Sequence, residues 1–265
     1  MTNRIDKLFS EKGARILSIY ITAGYPELHD TVRLLRALQE NGVDMVEIGM
    51  PFSDPLADGP VIQQSSQQAL QNGMSLDLLF RQLGQVRESI SIPLVLMGYL
   101  NPVLQMGMER FLGKCRDAGI DGVIIPDLPP AEYEEQYLDL FRSYGIYHAL
   151  LITPQTGEAR IRKIAALSQG FLYMVAAAST TGARKSVGAL QKEYFHRLHQ
   201  MELPLPGLIG FGISNRDTFL TACKYARGAI IGSAFIRALG EKSPLTLEQR
   251  VSEFVSGILG KRIAT

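Results

Sequence analysis

Short apolar runs recur along the chain, and within each run the apolar residues are continuous rather than alternating with polar ones. Continuous runs of about four to eight residues are typical of strands that are buried on both faces, as in a parallel sheet. The predicted strands are ILSIYIT (16–22), MVEIG (45–49), IPLVLMG (92–98), GVIIPD (122–127), YHALLIT (147–153), FLYMVAA (171–177), GLIGFG (207–212) and GAIIG (228–232).

Segments with apolar residues at helical spacing separate these strands. Eight strands alternating with helices over about 250 residues indicate a (β/α)8 TIM barrel. An open doubly wound sheet is the alternative, but TAGYPE follows the first strand instead of a glycine-rich dinucleotide loop. We predict a single TIM-barrel domain over residues 1–265, with an extra N-terminal helix within residues 1–12 that covers the barrel floor.

Composition narrows the class of protein. The formal net charge is +1, which argues against nucleic acid as the main partner, and the longest apolar runs are too short to cross a bilayer. Cys115 and Cys223 lie far apart in predicted helices and are expected to be free thiols. The four histidines, including His196 and His199 on one helix, lack partners for a metal set and are expected to be solvated. These features predict a soluble cytoplasmic protein without a metal.

Residues 47–59, EIGMPFSDPLADG, hold three carboxylates. Glu47 interrupts the second strand near its C-terminal end, where barrel enzymes carry their chemistry, and burial there would raise its pKa toward the range useful for proton transfer. A structural carboxylate held by backbone donors is the alternative. Asp58 precedes Gly59-Pro60, so it either caps the next helix or accepts a hydrogen bond from a substrate N–H. Position alone leaves both open.

Glycines lie at the ends of the last two predicted strands, at Gly212 and Gly232, and in the loop after the sixth, at Gly182. In TIM barrels the loops after strands seven and eight often bind phosphate through backbone N–H groups and a helix N-terminus, and Ser233 adds a hydroxyl at a predicted helix start. The pattern predicts a phosphate site; the alternative is that these glycines serve turn geometry only.

The segment VEIGMPFSDPLADGP (46–60) strongly resembles the signature of the tryptophan synthase alpha chain family. The resemblance extends over essentially the whole length through TAGYP, GYLNPV, PDLPPAE, TTGAR, GFGIS and IGSAF. It implies a lyase that cleaves indole-3-glycerol phosphate by a retro-aldol reaction into indole and glyceraldehyde 3-phosphate. The indole would pass to a beta subunit in the last steps of L-tryptophan biosynthesis.

The resemblance also implies residue roles. Glu47 matches the catalytic acid/base, and Asp58 matches the residue that receives the indole N–H. Tyr173 matches a tyrosine that borders the reacting centre, and the loop around Thr181 is expected to close over the substrate. The expected phosphate contacts are Gly182, Gly212, Gly232 and Ser233, with Phe211 nearby. The expected indole pocket involves Tyr20, Tyr99, Ile124 and Ile152.

The resemblance implies no metal or organic cofactor in this chain. The beta chain is expected to carry pyridoxal phosphate and to form an alpha2-beta2 heterotetramer with this chain, joined through Pro51–Pro55, a loop NPVLQMG (101–107) and the segment PDLPPAEY (126–133). Two departures from the family pattern are STTGAR (179–184) and Tyr20, where phenylalanine is common.

Two rival functions remain. Another phosphate-binding barrel, such as an isomerase or synthase of the same pathway, would lack the signature of the second strand. A degenerate subunit that only binds and activates a beta chain would not need both Glu47 and Asp58.

Overall fold

The architecture is given by a computed structural model that describes residues 3–175, 189–210 and 212–261. Within these residues, nine strands pair in parallel in the order β5-β4-β3-β2-β1-β9-β8-β7-β6. The strands are β1 Ile16–Thr22, β2 Met45–Gly49, β3 Leu94–Met97, β4 Gly122–Ile124, β5 Tyr147–His148, β6 Leu151–Ile152, β7 Leu172–Val175, β8 Gly207–Gly210 and β9 Gly228–Ile231.

The predicted fifth strand is present as two short segments, β5 and β6, and the barrel closes between them. The N–H of Ala149 donates to the carbonyl of Val123 (3.1 Å), whereas the N–H of Tyr173 donates to the carbonyl of Leu150 (3.0 Å). The strand is interrupted because the N–H of Leu150 donates to the Ser168 hydroxyl (2.9 Å) instead of to a neighbouring strand. The TIM barrel is confirmed, and the predicted sixth, seventh and eighth strands are β7, β8 and β9.

Helices follow the strands around the barrel. They are α1 Arg4–Glu11, α2 Asp30–Glu40, α3 Pro60–Gln71, α4 Leu76–Leu83, α5 Leu100–Met106, α6 Met108–Asp117, α7 Pro130–Glu132, α8 Leu138–Tyr144, α9 Glu158–Leu167, α10 Ala189–Gln200, α11 Arg216–Ala222, α12 Ser233–Gly240 and α13 Leu247–Leu259. A π-helical turn, Tyr133–Tyr137, joins α7 to α8, and a short 3-10 helix spans Val86–Glu88. The segment of α5 was expected to be a loop; it is a helix that begins after Tyr99.

Helix α1 covers the floor of the barrel, at the N-terminal ends of the strands. Asn3 caps the helix by accepting a hydrogen bond from the N–H of Ile5 (2.9 Å). Ile5 and Phe9 are buried in the apolar cluster inside the barrel, where the Phe9 ring lies 6.2 Å from that of Phe171. The extra N-terminal helix is therefore confirmed. It completes the core at the end of the barrel opposite the C-terminal ends of the strands.

One expectation about the histidines is wrong. His148 on β5 is fully buried and packs against the rings of Tyr133 (4.5 Å) and Phe141 (5.4 Å). Burial lowers its pKa to about 3, so the ring is neutral and behaves as a core residue. Among the residues of the three described ranges, no group of His, Cys, Asp and Glu side chains could hold a metal ion.

Cys115 and Cys223 are free, as expected. No helix in the described part of the chain is long and apolar enough to span a membrane.

Candidate active site

Glu47 lies at the centre of the candidate site. It is on β2, two residues before the strand ends, and it is fully buried. In the parallel register it stands opposite Tyr20 of β1 and Val95 of β3. The Ser18 hydroxyl donates a long hydrogen bond to Glu47 Oε1 (3.4 Å), and Oε2 has no partner within the described residues. One carboxyl oxygen is thus left for a substrate group.

The surroundings of Glu47 favour its protonated form. Burial raises the pKa of this carboxyl to about 8, and the hydrogen bond from Ser18 opposes the shift only weakly. No cation pairs with Glu47 among the residues that the structure describes. A carboxyl with a pKa near neutral can both give and take a proton at working pH. The alternative of a structural carboxylate held by backbone donors finds no support, because only Ser18 reaches it within these residues.

Two buried tyrosines stand near the carboxyl, Tyr20 on β1 and Tyr173 on β7. A methyl group on Gly49 would overlap the Tyr20 hydroxyl, and one on Gly210 would overlap that of Tyr173. Glycine at these two strand ends therefore makes room for the phenols. Burial raises the pKa of each phenol, and the charges of Glu47 and Asp58 raise it further. Both tyrosines are therefore within electrostatic reach of both carboxyl groups.

Asp58 lies in the loop between β2 and α3 and is half-buried. The Tyr99 hydroxyl donates to Asp58 Oδ2 (3.1 Å) and accepts from the N–H of Ala57 (3.0 Å). Gly59 is the N-terminal cap of α3, and no side chain bonds to that cap, so the helix-capping interpretation of Asp58 is wrong. Burial raises the pKa of Asp58 to about 6, against a lowering effect of the Tyr99 hydrogen bond.

The two predicted isoleucines of the indole pocket are on different faces of the sheet. Ile124 belongs to the cluster inside the barrel together with Tyr173. Ile152 is in register with Met174, whereas its neighbour Leu151 is in register with Tyr173 and packs against the interior cluster. The structure thus brings Leu151 toward the site instead of Ile152. The continuous apolar run of the fifth strand gave no alternation from which this face could be read.

The predicted phosphate residues are partly described. Ser233 is the first residue of α12, Gly232 is its N-terminal cap, and a methyl group on Gly232 would lie 3.5 Å from Tyr20 Cβ. This contact places the start of α12 next to Tyr20. Gly212 has a positive φ of 78°, with open space around it. Thr181, Gly182 and Phe211 lie outside the described residues, so their roles stay predictions.

Fold and site together define an enzyme of the (β/α)8-barrel class with two carboxyl groups at the C-terminal ends of its strands. The family model described as "Tryptophan synthase alpha chain" matches residues 7–258. The chain belongs to this family, as its signature segment predicted. It is accordingly a carbon–carbon lyase of tryptophan biosynthesis.

Relatives and solved structures agree with this membership. The tryptophan synthase alpha chain of Flavobacterium johnsoniae is 53% identical over 251 residues, which cover 95% of this chain and 99% of the relative. That of Parabacteroides distasonis is 50% identical over 256 residues, covering 97% and 99%. The crystal structure of the alpha chain from Legionella pneumophila superposes with a TM-score of 0.86 at 31% identity, covering 98% and 97%. The tryptophan synthase complex of Pyrococcus furiosus gives 0.82 at 32% identity, covering 92% and 97%.

Proposed function

We propose that this chain cleaves indole-3-glycerol phosphate with Glu47 as the group that moves protons and Asp58 as the group that binds the indole nitrogen. The observation that carries the proposal is the placement of Glu47. Its carboxyl is fully buried beside Ser18 of β1, and one of its oxygens lacks a partner in the described chain. A buried carboxyl that no cation neutralises among the described residues fits proton transfer better than it fits a structural role.

Two proton transfers account for the reaction. Glu47 first donates its proton to the indole ring carbon that carries the side chain, and the positive charge that develops on the ring nitrogen is stabilised by the Asp58 carboxylate. Glu47 then takes the proton of the side-chain hydroxyl next to the breaking bond. The oxygen electrons form the aldehyde, the carbon–carbon bond breaks, and its electron pair returns to the ring. Indole and glyceraldehyde 3-phosphate leave, and Glu47 has regained its proton.

The electrostatics of the site separate the two roles. With a pKa of about 8 for Glu47 and about 6 for Asp58, neutral pH leaves the first protonated and the second ionised. A pair of carboxyl groups whose environments move their pKa values apart is the usual arrangement for an acid beside an electrostatic stabiliser. Glu47 can therefore begin the reaction as the acid while Asp58 is already charged to receive the indole N–H.

The substrate would lie across the C-terminal ends of the strands. We place the indole ring near Tyr20, Tyr99 and Ile124, with Tyr173 beside the reacting carbon. The phosphate would bind backbone N–H groups at the start of α12, with Ser233 and the turns at Gly212 and Gly232. Leu151 takes the place predicted for Ile152, and Thr181, Gly182 and Phe211 complete the predicted set. Thr181 belongs to the loop that is expected to close.

We further propose a tryptophan synthase beta chain as the partner, in an alpha2-beta2 heterotetramer in which pyridoxal phosphate belongs to the beta chain. The solved relative from Pyrococcus furiosus, which is named as a tryptophan synthase complex, supports such a partner. Two large apolar side chains are notably exposed on segments next to the site, Leu56 (89%) and Leu104 (48%). Leu104 belongs to the predicted joining segment 101–107, and Leu56 directly follows Pro51–Pro55. Segment 126–133 completes the predicted surface.

The chain is also proposed to be one domain over residues 1–265 and to work in the cytoplasm. The alternative of a degenerate subunit that only activates a beta chain is disfavoured by the same carboxyl groups. Burial of an ionisable group costs free energy, and a chain kept only for its outer surface has no need of a buried Glu47 that has one oxygen without a partner among the described residues.

The test is indole release from indole-3-glycerol phosphate by the purified chain, with and without a beta chain. We expect Glu47→Gln and Asp58→Asn each to lower kcat by about 10²–10⁴-fold with the fold unchanged, since each conserves shape and removes a titrating or charged group. Asp117→Asn, an exposed carboxylate outside the site and the predicted joining segments, is the matched control and is expected to be near normal. If Glu47→Gln kept a tenth of the wild-type turnover, the assignment of Glu47 as the acid/base would be wrong.

A further inference from the structure

Tyr99 makes three contacts with the loop that carries Asp58. Its ring lies 5.3 Å from the ring of Phe52, its hydroxyl accepts from the N–H of Ala57, and the same hydroxyl donates to Asp58 Oδ2. Tyr99 itself is buried and immediately precedes α5. The start of that helix is fixed by a further bond, from the N–H of Leu100 to Asp127 Oδ1 (2.9 Å). Tyr99 is therefore fixed both by its contacts with the Asp58 loop and by the anchored start of α5.

The two hydrogen bonds of the phenol fix where its proton points. An ionised carboxylate has only acceptors, and a backbone N–H has only a donor. Because the hydroxyl oxygen accepts from Ala57, its proton is directed to Asp58. Within the described part of the chain, no second side chain or backbone N–H donates to the Asp58 carboxylate. Oδ2 is therefore occupied by Tyr99, and Oδ1 is the oxygen left for a substrate N–H.

We propose that Tyr99 is a positioning residue for the cleavage reaction, whose hydroxyl orients Asp58 and keeps its carboxylate ready for the indole N–H. This inference rests on the proposed function of the site. It assigns Tyr99 a role different from lining the indole pocket. For pocket lining the aromatic ring alone is sufficient, and phenylalanine would serve equally well. Orientation of Asp58 requires the hydroxyl.

Other titratable groups around Asp58 do not supply this effect. Tyr20 of β1 and Tyr173 of β7 face the carboxylate, but burial raises the pKa of both phenols, so neither carries a charge near neutral pH. Glu47 of β2 acts on the same two phenols and is itself mostly protonated there. Asp127 acts on Tyr99 rather than on Asp58. Among these groups, the Tyr99 hydrogen bond is what lowers the pKa of Asp58 against burial.

The deciding variant is Tyr99→Phe, which keeps the ring on Phe52 and removes the hydroxyl. We expect kcat/KM for indole release to fall by about ten-fold at neutral pH, because the charge-assisted hydrogen bond that holds the Asp58 carboxylate is lost. We also expect the acid limb of the pH profile to move to higher pH, because a donor that stabilised the ionised form is gone. The profile is measured between about pH 5 and 9, with and without a beta chain.

Two controls make the result specific. Tyr194→Phe removes another buried phenol, on α10 and outside the candidate site and the predicted joining segments, and should leave the profile in place. In an Asp58→Asn background, Tyr99→Phe should add little further loss, since its effect acts through the carboxylate. An equal loss at all pH values, with the acid limb unmoved, would show that the hydroxyl only anchors the loop and would overturn the inference.

The inference and the function on which it rests fail in different ways. If Tyr99→Phe is normal in rate and pH profile while Asp58→Asn is inactive, the inference is wrong and the proposed function stands. If Glu47→Gln and Asp58→Asn both remain active, the function itself is wrong, whatever Tyr99→Phe shows.

Discussion

At the scale of single residues, the placement of Glu47 has a consequence for stability. Its ordinary pKa is 4.5, and burial raises it to about 8 in the folded chain. Between these values the unfolded chain releases the proton while the folded chain keeps it. Raising the pH therefore favours unfolding across this window, and the associated stability is fully present only below it. At neutral pH, where the enzyme would work, the buried Glu47 therefore makes the fold less stable than it is at acidic pH.

Glu47→Gln is expected to stabilise the protein increasingly as pH rises. The difference in unfolding free energy between this variant and the wild type should grow by about 3 kcal/mol from pH 5 to pH 8, because the variant has no proton to lose. Urea denaturation at several pH values measures it. The exposed Glu27→Gln is the matched control and should show no such trend. A constant difference across pH would mean that Glu47 titrates normally.

At the scale of elements, the start of α12 is the place where backbone N–H groups would bind the phosphate of the substrate. Gly232 has φ −114° and ψ −84°, and a methyl group on it would make an ordinary contact with Tyr20. Gly212, by contrast, has a positive φ, so that any side chain there would strain the backbone. Substitution of Gly232 is therefore the cleaner probe, since the fold tolerates a methyl group at this position.

Gly232→Ala is expected to fold normally and to bind a phosphate-containing substrate analogue about ten-fold more weakly, because the methyl group crowds backbone N–H groups that would approach the anion. Inhibition by an indole-propanol phosphate analogue measures the effect. Gly257→Ala, in α13 with open space around it, is the control. Unchanged inhibition in a folded Gly232→Ala protein would mean that the phosphate binds elsewhere.

At the scale of the whole molecule, one buried carboxylate connects several elements at the barrel floor. Asp121, 3% exposed, pairs with Arg4 of α1 (2.9 Å) and with Arg87 of the 3-10 helix (2.5 Å), and it accepts from the N–H of Leu94 (2.8 Å). Burial lowers the pKa of Arg87, and Asp121 opposes the shift. Because Asp121 precedes β4, this network lies at the N-terminal ends of the strands, opposite the candidate site.

Asp121→Asn is expected to lower the unfolding free energy by about 3 kcal/mol, since it leaves the partly buried Arg87 without its counter-charge. The turnover of the folded enzyme should be unchanged, because the network is at the other end of the barrel. Urea denaturation and the indole assay together test this. Asp117→Asn, an exposed carboxylate nearby, is the control and should cost little. If both variants lowered the unfolding free energy equally, the Asp121 network would contribute no more to stability than a surface ion pair.

Much of the architecture was predictable because it is local. All eight predicted strands occur at their predicted places, some shortened at their ends, since continuous apolar runs between amphipathic segments fit a parallel barrel and little else. Glu47 was found because a carboxylate is conspicuous in a buried strand. The signature segment 46–60 carried the family resemblance, which the family model then confirmed.

What the sequence could not give depends on contacts between distant segments. The break between β5 and β6 follows from Ser168, about twenty residues later, which takes a hydrogen bond that the ladder would have used. His148 became a core residue because the rings of Tyr133 and Phe141, on the helical segment before β5, cover it. Tyr99 was expected only to line a pocket, because its hydrogen bond to Asp58 joins two segments that are distant in the sequence.

The sequence by itself determined the barrel, its family and the two carboxyl groups of the candidate site, because hydrophobic period and residue type are properties of the chain. The tertiary structure alone decided how these groups are tuned. Burial of Glu47 and the bond from Tyr99 to Asp58 arise where segments about forty residues apart meet, and both act through the low polarity of the enclosed site. A pKa depends on the environment of the group, and here that environment is formed by several segments that only the fold brings together.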